Sequence, residues 1–178
     1  TAQLVETLRI NVAGTWNALQ VVLPHMRARR RGHVVNVSSL AGVATFPGLA
    51  AYGATKAGLT HLTSGLRADL RGGPVGTLAV ELGPVSSEMM GRIFGHRPAA
   101  AAFDRMLRAR LLTMLAPDDV ARRVVGAIED GRHHLRMPRR AAPVAAVTHA
   151  PRAVVRTVLT GIPGHRAIEA GDVERLET

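Results

Sequence analysis

The chain has 178 residues, enough for one domain with a sizeable core, and 47% of them are apolar, as in an ordinary globular protein. It contains no cysteine, which excludes disulfides and thiolate metal centres and fits a reducing, cytoplasmic setting. The net charge of +10 invites a nucleic-acid reading, but the arginines are scattered and only 3% of residues are aromatic, so a solvated basic surface explains the charge better. No apolar run approaches the ~20 residues that cross a bilayer. No H-E-x-x-H occurs, and adjacent His133 and His134 are poorly placed to share an ion, so no metal site is expected.

Leu4, Leu8, Val12, Trp16, Leu19, Leu23 and Met26 recur at helical spacing, predicting a long helix from Leu4 to about Arg30. Asn11 interrupts its apolar region, and Pro24 should kink it or mark its last turns. Arg27, Arg29, Arg30 and Arg31 then place positive charge at the negative end of the dipole. Val34, Val35 and Val37 form a near-continuous β-branched run, read as a strand buried on both faces. Ser38 and Ser39 stand at its end. A second helix runs from Tyr52 to about Arg71, with Leu59, Leu62, Leu66 and Leu70 as its apolar stripe; Ala54, Ala57 and Gly58 allow close approach of another backbone.

Tyr52 and Lys56 are spaced i, i+4, which places phenol and ammonium on one helical face. A free phenol, with a pKa of about 10, is a poor acid–base catalyst at neutral pH. A nearby ammonium favours the phenolate, and a serine hydroxyl can hold a carbonyl or alcohol oxygen beside it. Such a trio moves a proton on or off an alcohol oxygen, the step that accompanies hydride transfer to or from a nicotinamide. Composition sharpens the case: Tyr52 is the only tyrosine, and Lys56 the only lysine among 23 basic residues.

Gly76 to Leu82 reads as another strand, ending in the turn-forming Gly83-Pro84. Pro117-Asp118-Asp119 starts a helix with Val120, Val124, Val125 and Ile128 inward, and Gly131 ends it. Arg132–Pro138 reads as a last short strand. Arg139 to about Leu159 is basic and Ala/Val-rich; it has the composition for weak contact with an anionic membrane surface, but its prolines fit ordinary packing or a tail better. From Gly161 onward the residues read as a frayed terminus.

Asn11-Val-Ala-Gly14, Leu23-Pro-His-Met26, Gly32-His-Val-Val-Asn-Val-Ser-Ser39 and Tyr52-Gly-Ala-Thr-Lys56, in this order and spacing, resemble the short-chain dehydrogenase/reductase family over residues 1–140. The resemblance implies an α/β, Rossmann-like doubly wound parallel sheet for 1–140, with 141–178 a basic tail. It implies NAD or NADP as cofactor, Tyr52 as catalytic acid/base, Lys56 lowering its pKa and holding the nicotinamide ribose, Ser39 rather than Ser38 orienting the substrate, and Asn11 holding a water relay. Pro84 and Val85 match the family's Pro-Gly block in a variant order, with the Val85 backbone meeting the carboxamide; Ser87 stands where many relatives have Thr. It also implies a homodimer or homotetramer through the two long helices.

Ser86 to Met114 would then be the substrate lid. Met89, Met90, Met106 and Met114, with Ile93, Phe94, Phe103, Leu107 and Leu111, suit either an adaptable apolar surface or a helix core. The first alternative implies a hydrophobic alcohol or carbonyl substrate. The family's glycine-rich turn, G-x-x-x-G-x-G between strand and helix, has no counterpart here. Gly72-Gly73-Pro-Val-Gly76 follows a helix and precedes a strand, the wrong order for a pyrophosphate cradle. The chain therefore reads as the C-terminal part of a longer oxidoreductase, with a truncated, catalytically silent module that oligomerises as the alternative.

Overall fold

The computed structural model describes residues 2–46, 48–95, 97–110 and 112–139. The expected N-terminal helix forms, but in three parts on one path: α1 (Ala2–Leu8), a π-helical turn (Arg9–Ala13) and α2 (Gly14–Ala28). The junction residues Leu8, Ala13 and Gly14 keep helical backbone angles, so the extra residue is absorbed without a break. Asn11 sits in the middle of that turn. Pro24 lies near the end of α2, where the helix still runs one more turn to Ala28. Leu19 of α2 buries against Val34, Leu66, Leu70 and Val75, whereas Leu4, Val5, Ile10, Trp16 and Val21 remain exposed.

Three strands follow: β1 (Gly32–Ser39), β2 (Val75–Leu82) and β3 (His134–Met137). Among the described residues they form a parallel sheet in the order β1-β2-β3, with Ser39 opposite Leu82 and Leu82 opposite Met137. One face carries α3 (Ala50–Asp69) and α2; the other carries α6 (Pro117–Glu129), whose Ala127 packs with Leu78, Val80, Leu135 and Met137. This is the α/β, two-sided parallel arrangement expected from the sequence. Gly131, at φ 63°, ends the α6 region as expected.

One strand expectation needs correcting. β1 is not apolar and buried on both faces. Its period of two sends Val34, Asn36 and Ser38 inward beneath α3, and leaves Val37 48% exposed on the other face. The reason is position: α6 packs over β2 and β3, so the outermost strand's far face lies beyond it.

After β2 the chain forms α4 (Glu88–Gly95) and α5 (Arg97–Arg108). Met90, Phe103, Met106 and Leu112 pack with Leu40, Ala44 and Phe46 into one core, in which the Phe46 and Phe103 rings stack at 4.9 Å. The methionines thus divide: Met90 and Met106 fill core, while Met89 and Met114 face outward. The basic stretch expected beyond Arg139 lies outside the described residues.

Candidate active site

Ser39 ends β1 and caps the 3₁₀ turn Leu40–Gly42, its Oγ accepting from the Ala41 amide at 3.1 Å. The returning helix α3 meets that turn backbone to backbone. A Cβ on Gly42 would stand 2.7 Å from the Ala57 nitrogen, and one on Gly53 would stand 2.6 Å from the Ala41 carbonyl oxygen. Only glycine permits both approaches. Close approach therefore occurs at Gly53 and Ala57, whereas Gly58, expected to serve it too, faces open space.

That closure brings the half-buried Tyr52 phenol beside Ser39, near enough for the serine hydroxyl to lower the phenol's pKa. Ser38, one residue earlier, points to the opposite face and is fully engaged: its Oγ donates to the Lys56 carbonyl at 2.8 Å and accepts from Thr60 at 2.8 Å. Ser39 donates only a long bond, 3.5 Å to the Leu82 carbonyl, so its hydroxyl is the more easily turned to a ligand. The Lys56 ammonium lies 5.6 Å from the centroid of the Tyr52 ring and donates to the Val37 carbonyl at 3.0 Å.

Asn11 reaches this cluster through an intermediary. Its amide nitrogen donates to the Thr55 hydroxyl at 2.9 Å, and that hydroxyl donates to the Tyr52 carbonyl at 2.8 Å. The remaining inward face of β1 is held the same way, with the Asn36 amide donating to Thr63 at 2.9 Å. Sequence reading missed Thr55, Thr60 and Thr63, because it read this helix for its leucine stripe, its small residues and the Tyr52–Lys56 pair. Their spacing opposite Asn36 and Ser38 was the available signal.

Burial raises the Tyr52 phenol's pKa above its ordinary value, and the Ser39 hydrogen bond lowers it without cancelling the effect. Burial likewise draws the Lys56 ammonium's pKa down. The expected lowering of the phenol by Lys56 is not met in this arrangement. The ammonium stands over the ring and spends a proton on Val37, so desolvation outweighs its influence.

Beyond β2, Pro84 is buried and Val85 forms an isolated parallel bridge with Leu115. The Leu115 amide donates to the Pro84 carbonyl and the Ser86 amide donates to the Leu115 carbonyl, both at 2.9 Å. These bonds turn Val85's own amide away from Leu115, with no backbone partner among the described residues. Ser87 is exposed and donates from Oγ to the Val85 carbonyl at 3.2 Å. Among the described residues no group of three or more His, Asp or Glu side chains could hold a metal ion.

Comparison with known proteins gives a consistent result. The family model described as short chain dehydrogenase matches residues 1–97. An uncharacterized oxidoreductase of Myxococcus xanthus is 48% identical over 79 residues, 44% of this chain and 31% of that protein. The 3-oxoacyl-[acyl-carrier-protein] reductase of Thermotoga maritima is 30% identical over 123 residues, 69% of this chain and 48% of that protein. The crystal structure of a short chain dehydrogenase from Burkholderia cenocepacia in complex with NADP superposes with a TM-score of 0.67 at 25% identity, covering 85% of this chain and 58% of that one. The chain spans about half or less of the length of these curated relatives.

Proposed function

The chain belongs to the short-chain dehydrogenase family, and we propose that it carries the proton-transfer site of an NAD(P)-dependent oxidoreductase interconverting an alcohol and a carbonyl. The observation that carries this reading is the convergence of the chain's only tyrosine, its only lysine and the Ser39 hydroxyl at the sheet's C-terminal rim. Ser39 hydrogen-bonds the substrate oxygen and fixes it beside the phenol. Tyr52 gives its proton to that oxygen in the reducing direction and takes it back in the other. Lys56 leaves the Val37 carbonyl to favour the phenolate as it forms.

The residues present fit a nicotinamide: Val85's amide has no backbone partner among the described residues, and buried Pro84 and exposed Ser87 flank it. Val85 and Ser87, with Tyr52 and Lys56 on the ribose side, would hold the cofactor, which supplies or accepts the hydride. The substrate is hydrophobic in this reading, supported by the outward Met89 and Met114. Activity confined to small polar ketones would overturn that part. For the reaction itself, Tyr52→Phe in the full-length protein should lower turnover by about 10²–10⁴-fold with thermal unfolding unchanged. Activity close to the parent's refutes the assignment.

A silent, oligomerising module is the second reading, favoured by the unpaired outer edge of β1 among the described residues and by the exposed apolar residues of α1 and α2. A nicotinamide titration of this chain separates the two, since binding excludes a module without a cofactor site.

A further inference from the structure

We infer that Thr55 is a positioning residue, which holds the turn of α3 bearing Tyr52 against the π-helical turn bearing Asn11. The inference rests on the proposed role of Tyr52. Thr55 is 1% exposed, and its hydroxyl uses both its capacities: it accepts from the Asn11 amide at 2.9 Å and donates to the Tyr52 carbonyl at 2.8 Å. The two bonds lie in series, so the first polarises the second. They tie the catalytic residue's own backbone to an element 44 residues before Thr55 in the chain.

The geometry explains why the helix carries a π turn at this place. The turn spans Arg9–Ala13, and Gly14 closes it by donating its amide to the Arg9 carbonyl. One inserted residue rotates Asn11 relative to the helix beyond it. Leu8, Ile10 and Ala13 are exposed there and, of its apolar residues, only Val12 is half-buried, so the turn buries little apolar surface. Among the described residues, the side-chain bond from this turn to α3 is the one to Thr55. Asn11 in this arrangement acts on Tyr52 through Thr55, in addition to any water that it holds.

Substitution separates this role from simple packing, because the two make opposite demands. Thr55→Val keeps the shape and removes the hydroxyl; Thr55→Ser keeps the hydroxyl and removes a methyl. If Thr55 positions Tyr52, the valine variant of the full-length enzyme should lose about 10–100-fold in kcat with KM little changed, and serine should restore it. A second readout needs no turnover. In the full-length enzyme the ultraviolet phenolate absorbance, taken as the difference from the Tyr52→Phe variant, titrates Tyr52 alone. The midpoint should move in Thr55→Val and stay in place in Thr55→Ser. The inference is overturned if valine is tolerated and serine is not, or if the midpoint is the same in both. Tyr52→Phe is measured alongside: an active phenylalanine variant refutes the catalytic reading, whereas an inactive one beside a fully active Thr55→Val refutes only the positioning role.

Discussion

Helix α3 and the path formed by α1, the π turn and α2 lie against the same sheet face, yet the chain treats them in opposite ways. Helix α3 is sealed on its inner side by Leu59, Leu66 and Leu70, by threonine hydrogen bonds to β1, and by glycines that let backbones touch. The earlier helix buries Leu19 and leaves Leu4, Val5, Ile10, Trp16 and Val21 exposed. Large apolar side chains alone do not make a helix part of the core. What fixes an element to within a hydrogen bond is small residues at the contact and polar groups with partners. The proposed catalytic face belongs to the fixed element, and among the described residues the earlier helix reaches it through the hydrogen bonds from Asn11 to Thr55.

The comparison can be broken hardest in the fixed half. Glu81 of β2 is 2% exposed and held by Arg136 at 2.6 Å and His134 at 3.1 Å across β3. Arg136→Met should cost about 3–5 kcal/mol in chemical unfolding, because the carboxylate stays buried without its guanidinium. A loss below about 1 kcal/mol would show the sheet to be looser than described. The same carboxylate gives a pH test. Burial raises its pKa, but hydrogen bonds from His134 and Arg136 more than compensate, so the net shift is downward. A carboxylate with a depressed folded pKa contributes stability above the unfolded value of about 4.3, lost as pH falls through the folded one. Acid unfolding of Glu81→Gln should accordingly be less steep than that of the parent.

Glycines test the contrast between the two faces of α3. Gly42→Ala places a methyl against the Ala57 amide of α3 and should destabilise by about 1–3 kcal/mol, with loss of the Tyr52–Ser39 contact. Gly58→Ala, in the same helix but facing open space, should stabilise by about 0.5–1 kcal/mol through helix propensity. Equal effects at the two sites would remove the distinction between the sealed and the open face. The smallest change belongs to the outer helix. Val21→Ser should shift stability of this chain by no more than about 0.5 kcal/mol, read from its melting curve.

Sequence by itself determined the order of the strands and long helices and the one-turn spacing of Tyr52 and Lys56, through periods of 2 and 3.6 and turn residues that are local and written in the chain. The parallel sheet and the preference for Ser39 over Ser38 came from the resemblance to the family. Tertiary structure decided the rest. Whether Val37 is covered depends on which strands α6 overlies. Whether Lys56 meets the phenol or a carbonyl depends on where β1 ends. The π turn, and the linkage of Asn11 to Tyr52 through Thr55, depend on two helices meeting across the fold. Those outcomes come from competition among partners distant in sequence, and burial of phenol and ammonium sets their proton affinities only once the partners are in place.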